Sequence, residues 1–339
     1  MSQVKLIAQG TNGMDLEAMS GKVREILEAG TATNTRKAHQ GDIEYFMAWV
    51  KLTVGHDMDL PTPPTLLIQF IVEHLFEMNV DKENELVRLG VKARRGRHSL
   101  NTVSRRLASL SALHELNRMP NPCRDKEVTS LLSKARRASA KKGEMATKKR
   151  AITRDILEVM LSTCGSSLID TRDKAILLFA FSTGGRRRSE VASARMEHLA
   201  QVDGGYIYHL PFSKTDQDAH GMDLPLLGRA SIALDTWLKI SGITEGFVFR
   251  SIRKGGAIGE GLSDKAVALI VKSRVQQAGL DPDLFSGHSL RSGFITEAGR
   301  QGKPLGDVMA LSGHKTVRVC LGYYQAGSVV HNSAALLAE

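Results

Sequence analysis

The sequence has little of what disulfide frameworks, zinc sites and membrane spans require. Its 339 residues include only three cysteines, Cys123, Cys164 and Cys320, which are odd in number and far apart. We therefore expect neither a disulfide framework nor a zinc site, and a reducing cytoplasm fits this cysteine usage best. The longest apolar run, residues 175–181, is too short to cross a bilayer, so no membrane partner is expected.

Targeting and cofactor motifs are also lacking. The N-terminal residues MSQVKLIAQG have neither the apolar core nor the small-residue cleavage site of a signal peptide, which again favours the cytoplasm. The sequence has no Walker motif for a nucleotide, no carboxylate cluster for magnesium and no zinc-ligand spacing. It therefore predicts an activity that needs no metal and no other cofactor.

Positive charge is plentiful and is concentrated in the middle of the chain. The formal net charge is +10, yet residues 91–150 contain 17 Lys and Arg against 4 Asp and Glu, so the remainder is slightly acidic. A concentrated positive field favours a polyanionic partner, and nucleic acid is the partner we expect. A well-solvated basic face is the simpler alternative.

The N-terminal part of the sequence is predicted to be α-helical throughout. In the segment SLNTVSRRLASLSALHEL, Val103, Leu107 and Leu110 recur at helical spacing and form an apolar stripe. Patterns of this kind predict helices at residues 14–29, 33–50, 66–78, 99–116 and 125–138. The following segment, SAKKGEMATKKR, has no apolar face and reads as a flexible basic linker. We expect a helical DNA-binding domain at residues 1–138, a linker at 139–150 and a second domain at 151–339.

A basic face on the helical domain, continued by the linker, is the predicted DNA-contact surface. Such a face can lie against a phosphate backbone, and an extended basic linker can cross the duplex. The two domains would then form a clamp with one domain on each side of the DNA. A plain solvated tether and solvated arginines are the alternatives. The candidate contact residues are Arg94, Arg95, Arg97, Arg105, Arg106, Lys148, Lys149 and Arg150.

The second domain is predicted to be mixed α/β, mainly helical with a small antiparallel sheet. Residues 206–210 and 222–226 have the character of short strands on either side of a polar, turn-rich segment. A further brief strand is predicted at residues 247–250. One helix of this domain is predicted to be capped by Thr153. Three others are predicted to cover residues 171–181, 230–240 and 263–278.

Two segments in the first half of this domain carry side chains that suit phosphate chemistry. Arg187 and Glu190 follow a Gly-Gly turn and open a helix. An arginine there adds its guanidinium group to the positive end of the helix dipole, which favours a phosphate. Lys214 lies at the predicted hairpin, where its amine is mobile. Taken singly, the first pair reads as a surface ion pair and the lysine as an ordinary turn residue.

Two more segments lie between residues 287 and 324. His288 and Arg291 stand at i and i+3, so they share one helix face and can converge on one ligand. His314 follows a glycine and precedes Tyr323 and Tyr324 by nine and ten residues. Taken singly, a structural histidine and a core tyrosine are the simpler interpretations of these residues.

Together these residue types meet the requirements of phosphodiester cleavage by a protein hydroxyl group. The pentavalent transition state spreads negative charge over oxygens that two arginines can hold bidentately. The attacking hydroxyl must lose a proton, which suits a histidine, and the leaving 5′ oxygen must gain one, which suits a lysine. A tyrosine nucleophile forms a covalent phosphotyrosine that keeps the bond energy for religation.

In order and spacing the set resembles the signature of the tyrosine recombinase (phage integrase) family, which includes Cre and the Xer proteins. The family pattern is R-x-x-E, a hairpin lysine, H-x-x-R, and then G-[HW] with a tyrosine nine residues on. Over roughly the last 190 residues it appears here as RRSE at 187–190, SKT at 213–215, GHSLRSG at 287–293, and GH at 313–314 with Tyr323. The segments TNTRKAHQGDIEYFMAW and SLNTVSRRLASLSALH resemble the family's core-binding domain less specifically.

The resemblance implies catalytic roles for the matching residues. Arg187 and Arg291 would clamp the scissile phosphate. His288 would act as the base or proton acceptor, and Lys214 would be the general acid to the leaving oxygen. Tyr323 would attack and form a 3′-phosphotyrosine.

The resemblance also implies supporting residues and an assembly. His314 would hydrogen-bond a phosphate oxygen, and Glu190 would orient the site. The family works on double-stranded DNA as a tetramer on two duplexes and passes a C-terminal helix to a neighbour. We therefore expect a site-specific recombinase that acts without metal or ATP as a homotetramer at a specific recombination site. The segment SVVHNSAALLAE, residues 328–339, is the candidate exchange helix.

Some alternatives stay open at this stage. Three arginines are consecutive, so Arg186 or Arg188 could take the place given to Arg187, and Tyr324 competes with Tyr323. Spacing favours Arg187 and Tyr323. The rival functions are a type IB topoisomerase-like enzyme that relaxes DNA, a non-cleaving DNA-binding regulator on the same scaffold, and a metal-dependent hydrolase that uses the two histidines.

Overall fold

The described residues of the computed structural model, 33–144, 149–213 and 221–329, are mainly α-helical. The chain divides into two units, residues 1–146 and residues 147–339. Among the described residues, no helix is both long enough and apolar enough to cross a membrane.

The N-terminal unit is built from helices whose apolar faces meet in one core. Its described helices are α1 (Thr33–Val54), α2 (Pro64–Leu75), α3 (Val80–Arg88), α4 (Leu100–Leu116) and α5 (Lys126–Lys141). Side chains of Asn79, Ser99 and Asp125 accept hydrogen bonds from first-turn N–H groups and so fix where α3, α4 and α5 begin. The core is aromatic, with Trp49 and Phe70 fully buried edge to face.

The sequence predicts all but one of these helices. The helices predicted at residues 33–50, 66–78, 99–116 and 125–138 coincide with α1, α2, α4 and α5. Helix α3 is not predicted, because Leu86 is its only buried residue and a single apolar position makes no recognisable stripe. The helix predicted at residues 14–29 lies outside the described residues.

The C-terminal unit combines helices with a small sheet. Its described helices are α6 (Arg154–Ser162), α7 (Leu168–Ser182), α8 (Arg188–Ala192), α9 (Arg229–Ser241), α10 (Asp264–Gln277), α11 (Ser289–Arg300), α12 (Leu305–Ser312) and α13 (Val317–Ser328). Helix α7 is central, since Phe179 and its apolar neighbours are buried against the sheet and the flanking helices. The fold class expected from the sequence, helical followed by mainly helical with a small antiparallel sheet, is confirmed.

The sheet has three antiparallel strands in the order β1 (Leu199–Val202), β2 (Gly205–Leu210) and β3 (Met222–Leu227). In its register, Leu199 pairs with Tyr208 and Leu210 pairs with Met222. Side chains alternate along β2 and β3, so that Tyr208, Leu210 and Leu224 point into the core. Leu210 and Met222, the paired ends of β2 and β3, lie on either side of the segment that contains Lys214, which is outside the described residues.

Two details of the sheet differ from the sequence analysis. Strand β1 is not predicted, and the strand predicted at residues 247–250 is wrong, since Phe247 forms only an isolated bridge with Arg195. The backbone of Val248 is used elsewhere. Its N–H donates to the carbonyl of Ala194 at 2.8 Å, and its carbonyl accepts from the indole of Trp237 at 2.8 Å.

Helices α11 and α13 pack so closely that two glycines have no room for a side chain. A Cβ atom on Gly299 of α11 would lie 2.1 Å from the carbonyl oxygen of Tyr324, and one on Gly327 of α13 would lie 1.9 Å from the carbonyl oxygen of Thr296. The hydroxyl of Thr296 also donates to the carbonyl of Tyr323 at 3.2 Å. These contacts fix α13 against the helix that carries Arg291.

Candidate active site

A Gly-Gly turn brings the first arginine motif against helix α11. Gly184 and Gly185 follow α7 with φ angles of +93° and +71°, a backbone conformation that residues with a side chain rarely adopt. A Cβ atom on Gly185 would lie 2.4 Å from the Cα of Arg291. The turn therefore allows two segments that are distant in sequence to touch directly behind the site.

Arg187 and Glu190 form a reciprocal pair at the start of α8. The backbone N–H of Arg187 donates to Glu190 Oε2 at 3.1 Å, and its Nη1 donates to Oε1 at 2.7 Å. The Arg187 side chain keeps 23 % of its surface exposed, whereas Glu190 is buried. The carboxylate thus orients a guanidinium group that still faces outward. Its neighbours differ, because Arg186 is buried and Arg188 is half-exposed and paired with Asp264 at 3.2 Å.

The second arginine lies deeper, on α11. Arg291 is 1 % exposed and donates from Nη1 to the carbonyl of Gly185 at 3.2 Å. Its Nη2 lies 3.3 Å from Nδ1 of His314. His288 stands at the N-terminal cap of the same helix, where its backbone N–H donates to Ser286 Oγ at 3.2 Å. The i, i+3 spacing therefore places both side chains on one side of the helix start.

His314 is held by two residues of its loop and by Arg291. Gly313 ends α12 in the left-handed conformation, with φ +69°, and turns the chain toward Arg291. The hydroxyl of Ser312 lies 2.8 Å from Nδ1 of His314. Because a guanidinium group can only donate, the contact with Arg291 favours Nδ1 as the acceptor, and we assign the ring proton to Nε2 on that basis. The Nε2–H group is then the donor available to a ligand.

The two tyrosines of α13 point in different directions. The ring of Tyr323 lies 6.3 Å from the ring of His288, centroid to centroid, at an interplanar angle of 59°. The hydroxyl of Tyr324 instead donates to the carbonyl of Lys303 at 2.6 Å. This divergence is what neighbouring residues on a helix require, since they are about 100° apart. Of the two, Tyr323 is on the side of the histidines and arginines.

The electrostatics of the cluster are strongly positive. Burial, and then the charges of Arg187 and Arg186, lower the pKa of Arg291 to about 10. Burial, and then the charges of Arg291 and Arg187, lower the pKa of His314 to about 4 and also lower the pKa of His288. Both histidines are therefore neutral at pH 7 while the guanidinium groups keep their charge. An anion placed among them would relieve this mutual repulsion.

Five of the six residues expected to be catalytic therefore come together from three distant segments. Arg187 comes from the turn after α7, His288 and Arg291 from the start of α11, and His314 and Tyr323 from the region of α12 and α13. The sixth expected residue, Lys214, lies outside the described residues. Within the described ranges, no group of three or more His, Cys, Asp or Glu side chains is arranged to hold a metal ion.

The expected DNA-contact residues have mixed surroundings. Arg94, Arg95 and Arg97 are exposed in the loop before α4. Lys149 and Arg150 are exposed too, and the Lys149 ammonium group donates to the carbonyl of Asp283 at 2.5 Å. Lys148 lies outside the described residues.

Two adjacent arginines on α4 differ in their exposure. Arg105 is half-exposed and paired with Asp42, but Arg106 is buried, with its guanidinium carbon 3.2 Å above the ring centroid of Tyr45. The expectation that Arg106 projects to the surface is corrected by this burial. Its position on the helix faces the aromatic core, and a long side chain with a delocalised charge can stack there.

The sequence predictions do not name Ser312, and they name Arg186 only as a rival for the place given to Arg187. Ser312 holds His314, and Arg186 occupies the interior behind the cluster. A serine two residues before a histidine carries no distinguishing pattern. The run of three arginines was a signal for Arg186, but sequence spacing does not reveal which of them points inward.

Comparisons with known proteins show the family to which the chain belongs. Residues 150–328 match the phage integrase family. The chain is 33 % identical over 330 residues to an integrase/recombinase XerD homolog of Selenomonas ruminantium, covering 94 % of this chain and 89 % of that protein. It is 25 % identical over 301 residues to a tyrosine recombinase XerD of Listeria monocytogenes, covering 86 % and 88 % of the two chains.

Solved structures of similar fold include two DNA complexes. The Tn1549 transposon integrase bound to transposon right end DNA superposes with a TM-score of 0.57 at 14 % identity, covering 96 % of this chain and all of that one. A lambda integrase dimer bound to a core site gives 0.53 at 17 %, covering 92 % and 96 %. The expected enzyme class is confirmed, and the chain belongs to the phage integrase family of tyrosine recombinases.

Proposed function

We propose that this chain cuts each DNA strand through a covalent 3′-phosphotyrosine at Tyr323 and rejoins it to a different 5′ hydroxyl, without metal or ATP. The observation that carries the proposal is the meeting of Tyr323 with two histidines and two arginines drawn from distant segments. Family membership and the DNA-bound relatives of the same fold support DNA as the substrate.

The guanidinium groups supply the electrostatic part of the proposed reaction. Arg187 is oriented by Glu190 yet keeps a partly exposed face, and Arg291 is fixed by the Gly185 carbonyl. Together they would hold the non-bridging oxygens of the scissile phosphate while its charge increases in the transition state. The neutral His314 would add a hydrogen bond from Nε2–H to one of those oxygens.

The proton transfers balance across one displacement. The oxygen of Tyr323 forms a bond to phosphorus, and its proton passes to His288, which is neutral at pH 7 and therefore able to accept it. The bond from phosphorus to the 5′ oxygen breaks, and the leaving oxygen takes a proton from Lys214. Attack by a new 5′ hydroxyl reverses each transfer and frees the tyrosine.

Binding and assembly form the second part of the proposal. Residues 1–138 would serve as the DNA-binding domain, 139–150 as a basic linker across the duplex, and 151–339 as the catalytic domain of a DNA clamp. The exposed arginines at 94, 95 and 97 and the basic residues at 148–150 would contact backbone phosphates. A lambda integrase of the same fold forms a tetramer on a Holliday junction, and a homotetramer on two duplexes carrying a specific site is the assembly we propose here. The expected compartment is the cytoplasm.

The nucleophile is tested by covalent trapping. The protein is incubated with fragmented chromosomal DNA from the organism that encodes it and denatured in SDS, and the covalent complexes are recovered and sequenced. A nicked duplex with the recovered sequence then serves as the substrate, called here the trapped-site duplex. Tyr323→Phe should form no adduct on it, and Tyr324→Phe should form adduct at a rate within about tenfold of the wild type. Adduct formation by Tyr323→Phe would refute the assignment.

Lys214 has a chemically specific test. Lys214→Ala should slow cleavage of the trapped-site duplex about 10²- to 10⁴-fold, the usual contribution of a general acid. A duplex whose scissile 5′ oxygen is replaced by sulfur should restore the rate, because a thiolate leaves without a proton. If sulfur gives no rescue, the lysine is not the acid.

Strand exchange is separated from DNA relaxation by product topology. A plasmid carrying two copies of the recovered site should yield deleted or inverted products with the wild-type protein. Relaxed plasmid of unchanged connectivity as the only product would favour a topoisomerase-like activity instead.

A further inference from the structure

Arg186 is a buried arginine that the proposed chemistry does not use. It precedes the motif arginine in the run of three, is 2 % exposed, and points into the unit while Arg187 points outward. Burial alone does not distinguish it from Arg291, but the Arg186 guanidinium group is already engaged by the Leu311 carbonyl and by Glu190. Its role must therefore be exerted on the groups that surround it.

Those groups belong to three separate parts of the site. Nη2 of Arg186 donates to the carbonyl oxygen of Leu311, in the last turn of α12 and three residues before His314. Nη1 lies 3.7 Å from Oε2 of Glu190, the carboxylate that orients Arg187. Nη1 also lies 4.0 Å from the sulfur of Met222, the first residue of β3 after the lysine hairpin. One planar group thus touches all three segments.

The backbone is shaped to admit this arrangement. Gly184 has a φ of +93°, and a Cβ atom there would lie 2.1 Å from the Leu311 carbonyl oxygen and 2.9 Å from Nη2 of Arg186. Any side chain at this position would occupy the space in which the guanidinium group meets the carbonyl. The glycine and the arginine therefore belong to one feature.

Stability alone does not account for an arginine here. Its Nε is buried with no hydrogen-bond partner among the described residues, and a buried unsatisfied donor is destabilising. Its charge also adds to those of Arg187 and Arg291. An apolar side chain of similar volume would usually be at least as stable in such a place. A role in positioning the site would explain why this destabilising side chain is present.

We propose that Arg186 is a positioning residue that fixes the His314 loop relative to the Arg187–Glu190 pair and to Met222 at the start of β3. The inference deepens the proposed DNA cleavage and rests on it. The guanidinium group acts in two ways. Its fork holds the Leu311 carbonyl, and its charge faces His314 together with the charges of Arg187 and Arg291 and the imidazole of His288.

Two substitutions separate the fork from the charge. Arg186→Met removes both, and Arg186→Lys keeps a charge but cannot span the Leu311 carbonyl and Glu190 together. The matched control is Arg172→Met, which removes another buried arginine of the same unit, one that is paired with Asp173 and donates to the carbonyl of Arg250 at 3.4 Å. Each protein is assayed for its dissociation constant for the trapped-site duplex and for its single-turnover rate of adduct formation between pH 4.5 and 8.

We expect both Arg186 variants to bind the duplex within about threefold of wild type and to form adduct about 30- to 100-fold more slowly, since a displacement of one ångström can cost 10²-fold. The loss is expected in Arg186→Lys as well as in Arg186→Met, because the lysine keeps the charge but not the fork that holds the Leu311 carbonyl. Arg172→Met should match the wild-type rate.

Wild-type rates in either Arg186 variant would overturn the inference, as would an equal loss in the control. If Arg186→Met does not fold, Arg186→Lys alone decides. Failure of the wild-type protein to form an adduct would instead overturn the proposed function.

Discussion

Gly299→Ala tests how α13 presents the nucleophile. A Cβ atom at Gly299 would lie 2.1 Å from the carbonyl oxygen of Tyr324 and 3.0 Å from its carbonyl carbon. Ordinary contacts of this kind begin near 3.4 Å, so α13 must move away from α11 by about 1 Å. The contacting group is backbone, which cannot rotate aside. Tyr323, the next residue toward the N-terminus, must move with it.

The size of the effect follows from this displacement. A shift of one ångström in a reacting group can cost about 10²-fold in rate, which corresponds to about 2.7 kcal/mol in the activation free energy. Overpacking should also lower the free energy of unfolding by about 1–3 kcal/mol. DNA affinity should change little, because the predicted phosphate contacts outside the helix pair are untouched.

The assay is the single-turnover rate of adduct formation on the trapped-site duplex, measured beside the dissociation constant and the melting temperature. Gly306→Ala is the matched control, since it also lies in a helix and a Cβ atom there meets nothing within 4 Å. Tyr324→Phe removes only the hydroxyl bond to Lys303 and should have a smaller effect of the same sign. If Gly299→Ala folds and cleaves at the wild-type rate, the close packing of these helices does not set the position of the nucleophile.

Three further predictions concern charge. Arg291→Lys should lower the rate of adduct formation about 10²- to 10³-fold with little change in affinity, since an ammonium group cannot replace the fork that reaches Gly185 and a phosphate; a loss under tenfold would contradict this. Asp173→Ala leaves Arg274 and Arg172 buried without their shared carboxylate and should lower the free energy of unfolding by about 3–5 kcal/mol in urea titrations. Burial lowers the pKa of His74 to about 3, below an unfolded value of about 6.5. The unfolded chain therefore takes up the proton first, and stability should be complete above pH 6.5 and fall toward pH 3. His74→Leu should flatten that fall.

The sequence predicts the fold as far as its local patterns reach. Apolar stripes identify α1, α2, α4 and α5, and the two strands that flank the lysine hairpin alternate clearly. Helix α3 and strand β1 are missed because they bury too few side chains to show a period. The strand expected at residues 247–250 fails for a different reason. Its apolar residues are buried, but the backbone of Val248 bonds to Ala194 and to the indole of Trp237.

In the candidate site, too, sequence spacing predicts some features and misses those that depend on burial. Spacing alone favours Arg187 over its neighbours and Tyr323 over Tyr324, and both assignments stay predictions. In the structure Arg187 is partly exposed and the ring of Tyr323 lies near His288, whereas the hydroxyl of Tyr324 donates to the carbonyl of Lys303. Burial is what the sequence does not reveal. Arg106 resembles a surface arginine yet stacks on Tyr45 in the core. A basic residue on a helix is exposed or buried according to which face of the helix it occupies, and tertiary packing decides which face is buried.

The most direct measurement of the central claim is the chemical identity of the protein–DNA adduct. The adduct trapped on the wild-type protein is digested with trypsin and nuclease, and the modified peptide is sequenced by tandem mass spectrometry. We predict a nucleotide joined through its 3′ phosphate to the phenolic oxygen of Tyr323. A linkage to Tyr324, a linkage through a 5′ phosphate, or cleaved DNA with no adduct would contradict this mechanism.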